Sequence, residues 1–304
     1  MKKTIAFLSL AWLTIPVSCI KTVPFKFPRN EKVLVVNALF SPDSVFKIYV
    51  SHTVPLSEPI PPPIENAEVS LYENGVFSET LTYRNSHYYA TIKPVAGKRY
   101  KIVVRAPEFQ PVLAEDTVPE KPRLLQTDFI RNAGTDTDEN GYLFHYSRLK
   151  CHIGDSLQKR NYYEILILIR QWDDTAQTYR LESVVYRKNN DRIINSEQLI
   201  DYNPSSLIFS NKAFQNTNQE IDIDFYSYIV DEEDTRDFQI VIILRRISRS
   251  HYLYKKYLTL FYNSEFEDEL WSSPRPVNLY SNVQNGTGIF AAFNEVRDTL
   301  NISN

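Results

Sequence analysis

Cysteine is almost missing from this sequence: Cys19 and Cys151 are the only two in 304 residues. A disulfide framework is therefore excluded as the source of stability. Glycine is scarce, at 7 residues, which removes collagen-like and glycine-rich classes. There is no surplus of positive charge, because 34 Lys and Arg face 37 Asp and Glu, for a net charge of −3. Nucleic-acid binding, which wants a basic stripe, finds no support. No apolar run reaches the roughly 18 to 20 residues needed to span a bilayer. His52, His87, His145, His152 and His251 show no metal-ligand spacing, and no G-x-S-x-G, H-E-x-x-H or Walker pattern occurs. Gly286–Thr287–Gly288 lacks the third glycine and the βαβ setting of a nucleotide loop. The expectation is a protein without catalytic residues or a cofactor.

What is present begins at the N-terminus. Lys2 and Lys3 precede an apolar stretch from Thr4 to Val17, which closes on Ser18 and Cys19. This pattern reads as a signal peptide over residues 1–18 followed by a lipoprotein cleavage site. The mature chain then starts at Cys19, whose acylation holds it on a membrane surface. Pro16 stands where such sites usually have an aliphatic residue, and a plain secretory signal with an incidental cysteine is the alternative. With Cys19 lipidated, Cys151 has no partner and is expected to be a buried, inert thiol.

Residues 19–30 read as a tether carrying Pro24 and Pro28. Beyond it, 20 Tyr and 17 Phe favour strands. Strand-like segments run over 32–39, 45–50, 67–72, 77–83, 87–92 and 99–105. Asn74–Gly75 supplies a hairpin turn, and Pro55 to Pro63 an extended loop. About six short strands in ninety residues predict an Ig-like or transthyretin-like β-sandwich over 31–118. Pro107, Pro111, Pro119 and Pro122 mark its exit. Residues 124–304 read as a larger antiparallel β-rich domain, with strands at 162–170, 179–186, 220–228 and 238–244. Leu253, Tyr257, Leu260 and Phe261 fall at helical spacing, so one amphipathic helix is expected over 248–262. The close, 278–293, reads as strand, Asn-Gly turn, strand. The class is mostly β.

Three groups of residues invite chemistry. Asp136, Asp138 and Asn140, before Gly141, match the first half of a calcium loop. Its twelfth position is Ser147 instead of an acid, so a polar turn is favoured and no metal is expected. Glu220, Asp222 and Asp224 alternate and would share one strand face, where they could take a cation or basic ligand, act in a hydrolase, or simply meet water. Trp172 and Trp271, in expected loops, and Tyr254 and Tyr257 on the helix could contact a glycan, a peptide or a protein partner. For the helix tyrosines, packing on a sheet is the competing reading.

Several segments together carry a resemblance: VLVVNALFSPDS, IENAEVSLYENG, HYYATI, GKRYKIVV, RNYYEILILI, DFQIVIILRRISRSHYLYKKYL and PVNLYSNVQNGTGIFAAFN. The chain resembles the Bacteroidota lipoprotein family catalogued as domain of unknown function 4249, most specifically over Val277 to Phe293. The resemblance implies no catalytic residues. It implies an accessory role at the outer membrane, because members are often encoded beside TonB-dependent transporters of the SusC type. Ile20–Lys21–Thr22–Val23 has no acidic cluster of the kind that marks surface export, so either face of the outer membrane remains open. The expected function is a non-catalytic accessory or ligand-binding subunit of such a transporter. A stand-alone glycan- or peptide-binding lipoprotein and a carboxylate-dependent hydrolase are the alternatives.

Overall fold

A computed structural model of the chain describes residues 32–55, 58–138, 140–156, 158–187, 191–196, 204–231, 237–266 and 277–303. The first half holds β1 (Leu34–Phe40), β2 (Lys47–His52), β3 (Glu68–Glu73), β4 (Val76–Thr80), β5 (Thr82–Arg84), β6 (His87–Tyr89), β7 (Arg99–Arg105) and β8 (Val112–Thr117). Two long strands follow, β9 (Arg123–Thr137) and β10 (Leu143–Gly154), then β11 (Tyr162–Asp173), β12 (Thr178–Ser183), β13 (Val185–Tyr186), β14 (Leu207–Ser210) and β15 (Asn218–Tyr226). The chain closes with β16 (Phe238–Ile247), a long helix (Arg249–Phe266) and β17 (Thr287–Ile302). The fold is mostly β, with several antiparallel sheets and one long helix.

A nine-stranded sheet runs in the order β12-β11-β16-β17-β1-β2-β6-β5, with β14 also paired to β11. Two four-stranded sheets, β4-β3-β7-β8 and β13-β15-β10-β9, complete the structure. Strand alternation decides what packs where. Val36, Phe40, Ile48, Tyr100, Ile102 and Phe290 share one buried cluster between β1–β2 and β3–β7–β8. Tyr163, Ile165, Ile167, Ile240 and Ile242 meet Leu149, Cys151, Ile221 and Ile223 in a second. The even-numbered residues of β17 enter both clusters, Phe290 and Ala292 in the first, Val296, Leu300 and Ile302 beside the second. Both smaller sheets therefore lie on the same face of the large one. The helix lies on the other face, where Tyr252 packs with Ile208, Ile247 and the odd-numbered Phe293.

Of the strand, turn and strand expected over 278–293, the first strand is not formed; before the turn only Gln284 makes a bridge, to Leu113. Asn282 takes the place of a pairing strand, since its side chain donates to the Phe290 carbonyl at 2.8 Å and accepts from the Phe290 N–H at 3.0 Å. The start of β17 requires glycine. At Gly288, φ is +113°, and a Cβ would sit 2.1 Å from the Val36 carbonyl oxygen.

Candidate functional site

The acidic stretch of β15 is met by cations from its neighbour. Glu220, Asp222 and Asp224 stand opposite His152, Lys150 and Arg148 of β10. Arg148 reaches Asp224 at 2.6 Å through Nε and Asp222 at 3.1 Å through Nη1. Lys150 and His152 lie 3.1 Å and 3.0 Å from the two Glu220 oxygens. The result is a cross-strand ionic ladder in which each carboxylate faces a cation of β10.

The calcium-like segment behaves similarly. Asp136 ends β9, where Arg187 holds it through two hydrogen bonds, at 2.7 and 2.8 Å, and Tyr226 donates a third. Arg187 keeps its carboxyl below the ordinary carboxylate range. Asp138 accepts the N–H groups of Asn140 and Tyr142, each at 2.8 Å, and so shapes the turn. Asn140 contributes that backbone N–H to the turn. Asp136 and Asp138 face protein donors instead of a shared cation, and among the described residues no three His, Cys, Asp or Glu gather for a metal.

One charged cluster escaped the sequence reading. Glu164, the lone charge in the apolar run of β11, is fully buried on the helix side of the sheet. Lys255 Nζ lies 2.8 Å from Oε1, Arg245 Nη1 3.1 Å from Oε2, and Ser206 Oγ donates to Oε1 at 2.6 Å. Burial alone would raise its pKa, but Lys255, then His251 and Arg245, outweigh it and hold the carboxyl down at about 2. Glu295 shares Arg245 at 2.8 Å. One turn before Lys255, His251 is 1% exposed, and burial pushes its pKa down to about 4. Its ring is neutral at pH 7, edge-on to Phe293 at 6.0 Å.

These residues correct the expected helix stripe. The helix buries His251 and Tyr252 and points Lys255 at Glu164, while Tyr257 and Leu260 are 39% and 38% exposed. A pattern reading assigns polar residues to water, and here a buried acid reverses the assignment. Ser248 caps the helix, accepting the His251 N–H at 3.1 Å and donating to Asp116 of β8. Asp116 also accepts the Ala292 N–H at 3.0 Å. Burial raises its pKa to about 6.

Cys19 and Trp271 lie outside the described residues. Trp172 is on β11, not in a loop, and is 39% exposed. It meets Tyr179 of β12 edge-on at 5.1 Å, and Arg170 lies 3.8 Å over the same tyrosine. Leu181, 57% exposed, extends this strip. Tyr254 is half-buried, and Tyr257 faces Tyr280 at 6.4 Å between ring centres. Trp172 and the helix tyrosines do not converge on one cleft: the helix packs on β11 at Tyr162, which stacks on Tyr252, and Trp172 lies ten residues further along that strand. A further apolar tip, Tyr142–Leu143–Phe144, tops the β9–β10 hairpin and is exposed. Its signal in the sequence was three large apolar residues directly after an Asn–Gly pair.

The sequence model of the family described as Domain of unknown function (DUF4249) matches residues 20–299. The chain belongs to this family. Among curated proteins none matches it. The DUF4249 match spans both buried clusters and the whole of the nine-stranded sheet up to Thr299. No helix among the described residues is long and apolar enough to cross a membrane.

Proposed function

We propose that this DUF4249 protein is a non-catalytic lipoprotein, anchored to the outer membrane through Cys19, that serves as an accessory or ligand-binding subunit of a TonB-dependent transporter of the SusC type. The observation that carries this reading is the exposed strip Arg170–Trp172–Tyr179–Leu181 on the β11–β12 hairpin. Trp, Tyr and Arg are the residues that most often anchor protein interfaces, and a strand pair holds them rigid. The carboxylates Glu220, Asp222, Asp136 and Glu164 are engaged by Arg148, Lys150, Arg187, Arg245 and Lys255. A lipid at Cys19 would keep the strip at high effective concentration near a membrane partner, so a weak contact suffices.

The test is a mild-detergent pull-down of the tagged, acylated protein from its native membrane, beside Cys19→Ala and Trp172→Ala/Tyr179→Ala. The expected result is near-stoichiometric recovery of a β-barrel transporter from the parent. Recovery should fall in both variants, while only Cys19→Ala leaves the membrane. Recovery of the lipoprotein alone from the parent sinks the reading.

A further inference from the structure

β17 changes partners along its length. Its first six residues pair with β1, ending at Phe40↔Ala292, and its last ten pair with β16. From Asn294 to Ile302, no described strand takes the side that β1 occupied earlier. Among the described residues, the β1 lane of the nine-stranded sheet thus continues without a strand for nine residues, about 30 Å at 3.3 Å per residue.

The direction of the main-chain groups can be read from three bonds. Ile289 N–H turns to Asn37 on the β1 side at 3.2 Å. Thr299 N–H turns to the neighbouring Asp298 carboxylate at 2.9 Å. The even-numbered Ala292 carbonyl instead accepts from Ser248 at the end of β16. Odd-numbered residues therefore aim N–H and C=O into the lane, which sets Arg297, Thr299 and Asn301 along it.

β9, whose sheet packs on the face of the large one, runs beside this lane and is also a strand edge. β9 ends its own sheet, so the side away from β10 has no described partner. Between the two edges lies an open groove of about 230 Å³ lined by Leu124, Leu125, Gln126, Val296, Arg297 and Asp298. The Thr127 hydroxyl, at 2.5 Å from Asp298, pins β9 beside the groove. The two edges are not equivalent. β9 slips register twice against β10, a bulged form that resists further pairing. β17 keeps unbroken register with β16 through all ten pairs, so its free edge is the regular one.

We infer that the free edge of β17, Asn294 to Ile302, is a binding site for an extended peptide of another polypeptide, added as a strand in the β1 lane. Main-chain bonds to Arg297, Thr299 and Asn301 supply the affinity, and alternate apolar side chains of the peptide rest on Leu124, Leu125 and Val296. The inference does not depend on the transporter reading, since it uses a different surface.

The probe is a phage-displayed library of random nine-residue peptides, selected on the full mature chain. Enriched peptides should alternate apolar and polar residues. In their presence, amide hydrogen exchange of Arg297, Thr299 and Asn301 should slow about tenfold or more, with that of β4 and β12 unchanged. Thr299→Pro removes a lane-facing N–H without touching the β16 ladder, and should weaken binding about tenfold, whereas Thr299→Val should bind like the parent. Exchange in the unsubstituted chain decides the matter even where Thr299→Pro fails to fold. Failure to enrich any peptide, protection elsewhere, or equal affinity for a folded Thr299→Pro chain overturns the site. Protection of the same amides by dimerisation alone, read by light scattering without peptide, overturns the assignment to a foreign strand.

Discussion

Replacing Glu164 with Gln keeps the shape of the side chain and removes its charge from beneath the helix. The folded carboxyl sits near 2 where an ordinary one sits at 4.5, which corresponds to about 3 kcal/mol in favour of the folded state at neutral pH. The sign follows from the depressed value: the contribution is complete above 4.5 and is lost as pH falls toward 2. Lys255 becomes the stranded partner, because Arg245 retains Glu295 at 2.8 Å. Urea unfolding followed by circular dichroism, from pH 8 down to 2.5, reads the difference between parent and Glu164→Gln. It should hold near 3 kcal/mol down to about pH 4.5 and then shrink. Adding Lys255→Met should restore part of the loss, since the buried cation no longer lacks a counter-charge. A difference under about 0.5 kcal/mol at pH 7, or one equally large at pH 3, would refute the clamp as described.

Two groups beside the helix start should give opposing slopes at mildly acid pH. His251, at about 4 against an ordinary 6.5, contributes stability present above 6.5 and lost as pH falls to 4. Asp116, raised to about 6 from 3.8, contributes stability present below 3.8 and lost as pH rises through 6. Each amounts to about 3 kcal/mol, so His251→Phe should unmask stabilisation on going from pH 6 to pH 4, and Asp116→Asn a steeper fall over the same range, both read by thermal melts. The Cys151 thiol is fully buried and its pKa pushed up by that burial; an aromatic disulfide reagent should leave it untouched in the native chain and label it within minutes in denaturant. Gly288→Ala should cost about 3 kcal/mol or more by chemical denaturation, because the added Cβ meets the Val36 carbonyl at a φ of +113°.

Local signals were legible where a segment has a clean period or a turn residue with a mechanism. β7 occupies the expected 99–105, and Asn74–Gly75 makes its turn with φ of 48° and 87°. The helix begins at its Ser248 cap, as the pattern suggested, and runs one turn further. In the long hairpin, β10 does alternate, with Arg148, Lys150 and His152 on one face and Leu149, Cys151 and Ile153 on the other, but its partner β9 mixes polar and apolar residues on both faces and hides the pair. β9 is an edge strand, exposed along much of its length, and such strands lack the alternation that marks a half-buried one. The candidate sites failed for a related reason. The alternation of Glu220, Asp222 and Asp224 was visible, but Arg148, Lys150 and His152 come to face them only through the register of β10. Glu164 stood out only as a charge within an apolar run, and nothing local names Lys255, 91 positions on, as its partner.

The Val277–Phe293 segment, the most specific part of the family resemblance, owes its residue types to a constraint that is not local. β17 must lie parallel to β1, 252 positions away, and then continue as the antiparallel neighbour of β16. Parallel neighbours leave no room for a side chain where the chain first joins the sheet: a Cβ at Gly286 would meet the Leu34 carbonyl at 2.6 Å, and one at Gly288 the Val36 carbonyl at 2.1 Å. Asn282 fastens the approach by its paired bonds to Phe290. Asp116 then ties Ala292 to Ser248, so that the strand, the small sandwich and the helix cap meet at one half-buried carboxylate. Because β1 stops at Phe40 while β17 continues, the same construction that joins the two buried clusters leaves the free edge beyond Ala292. The vacant lane is thus a geometric consequence of how the halves are joined, which is why a regular, unprotected edge persists in a chain that bulges β9.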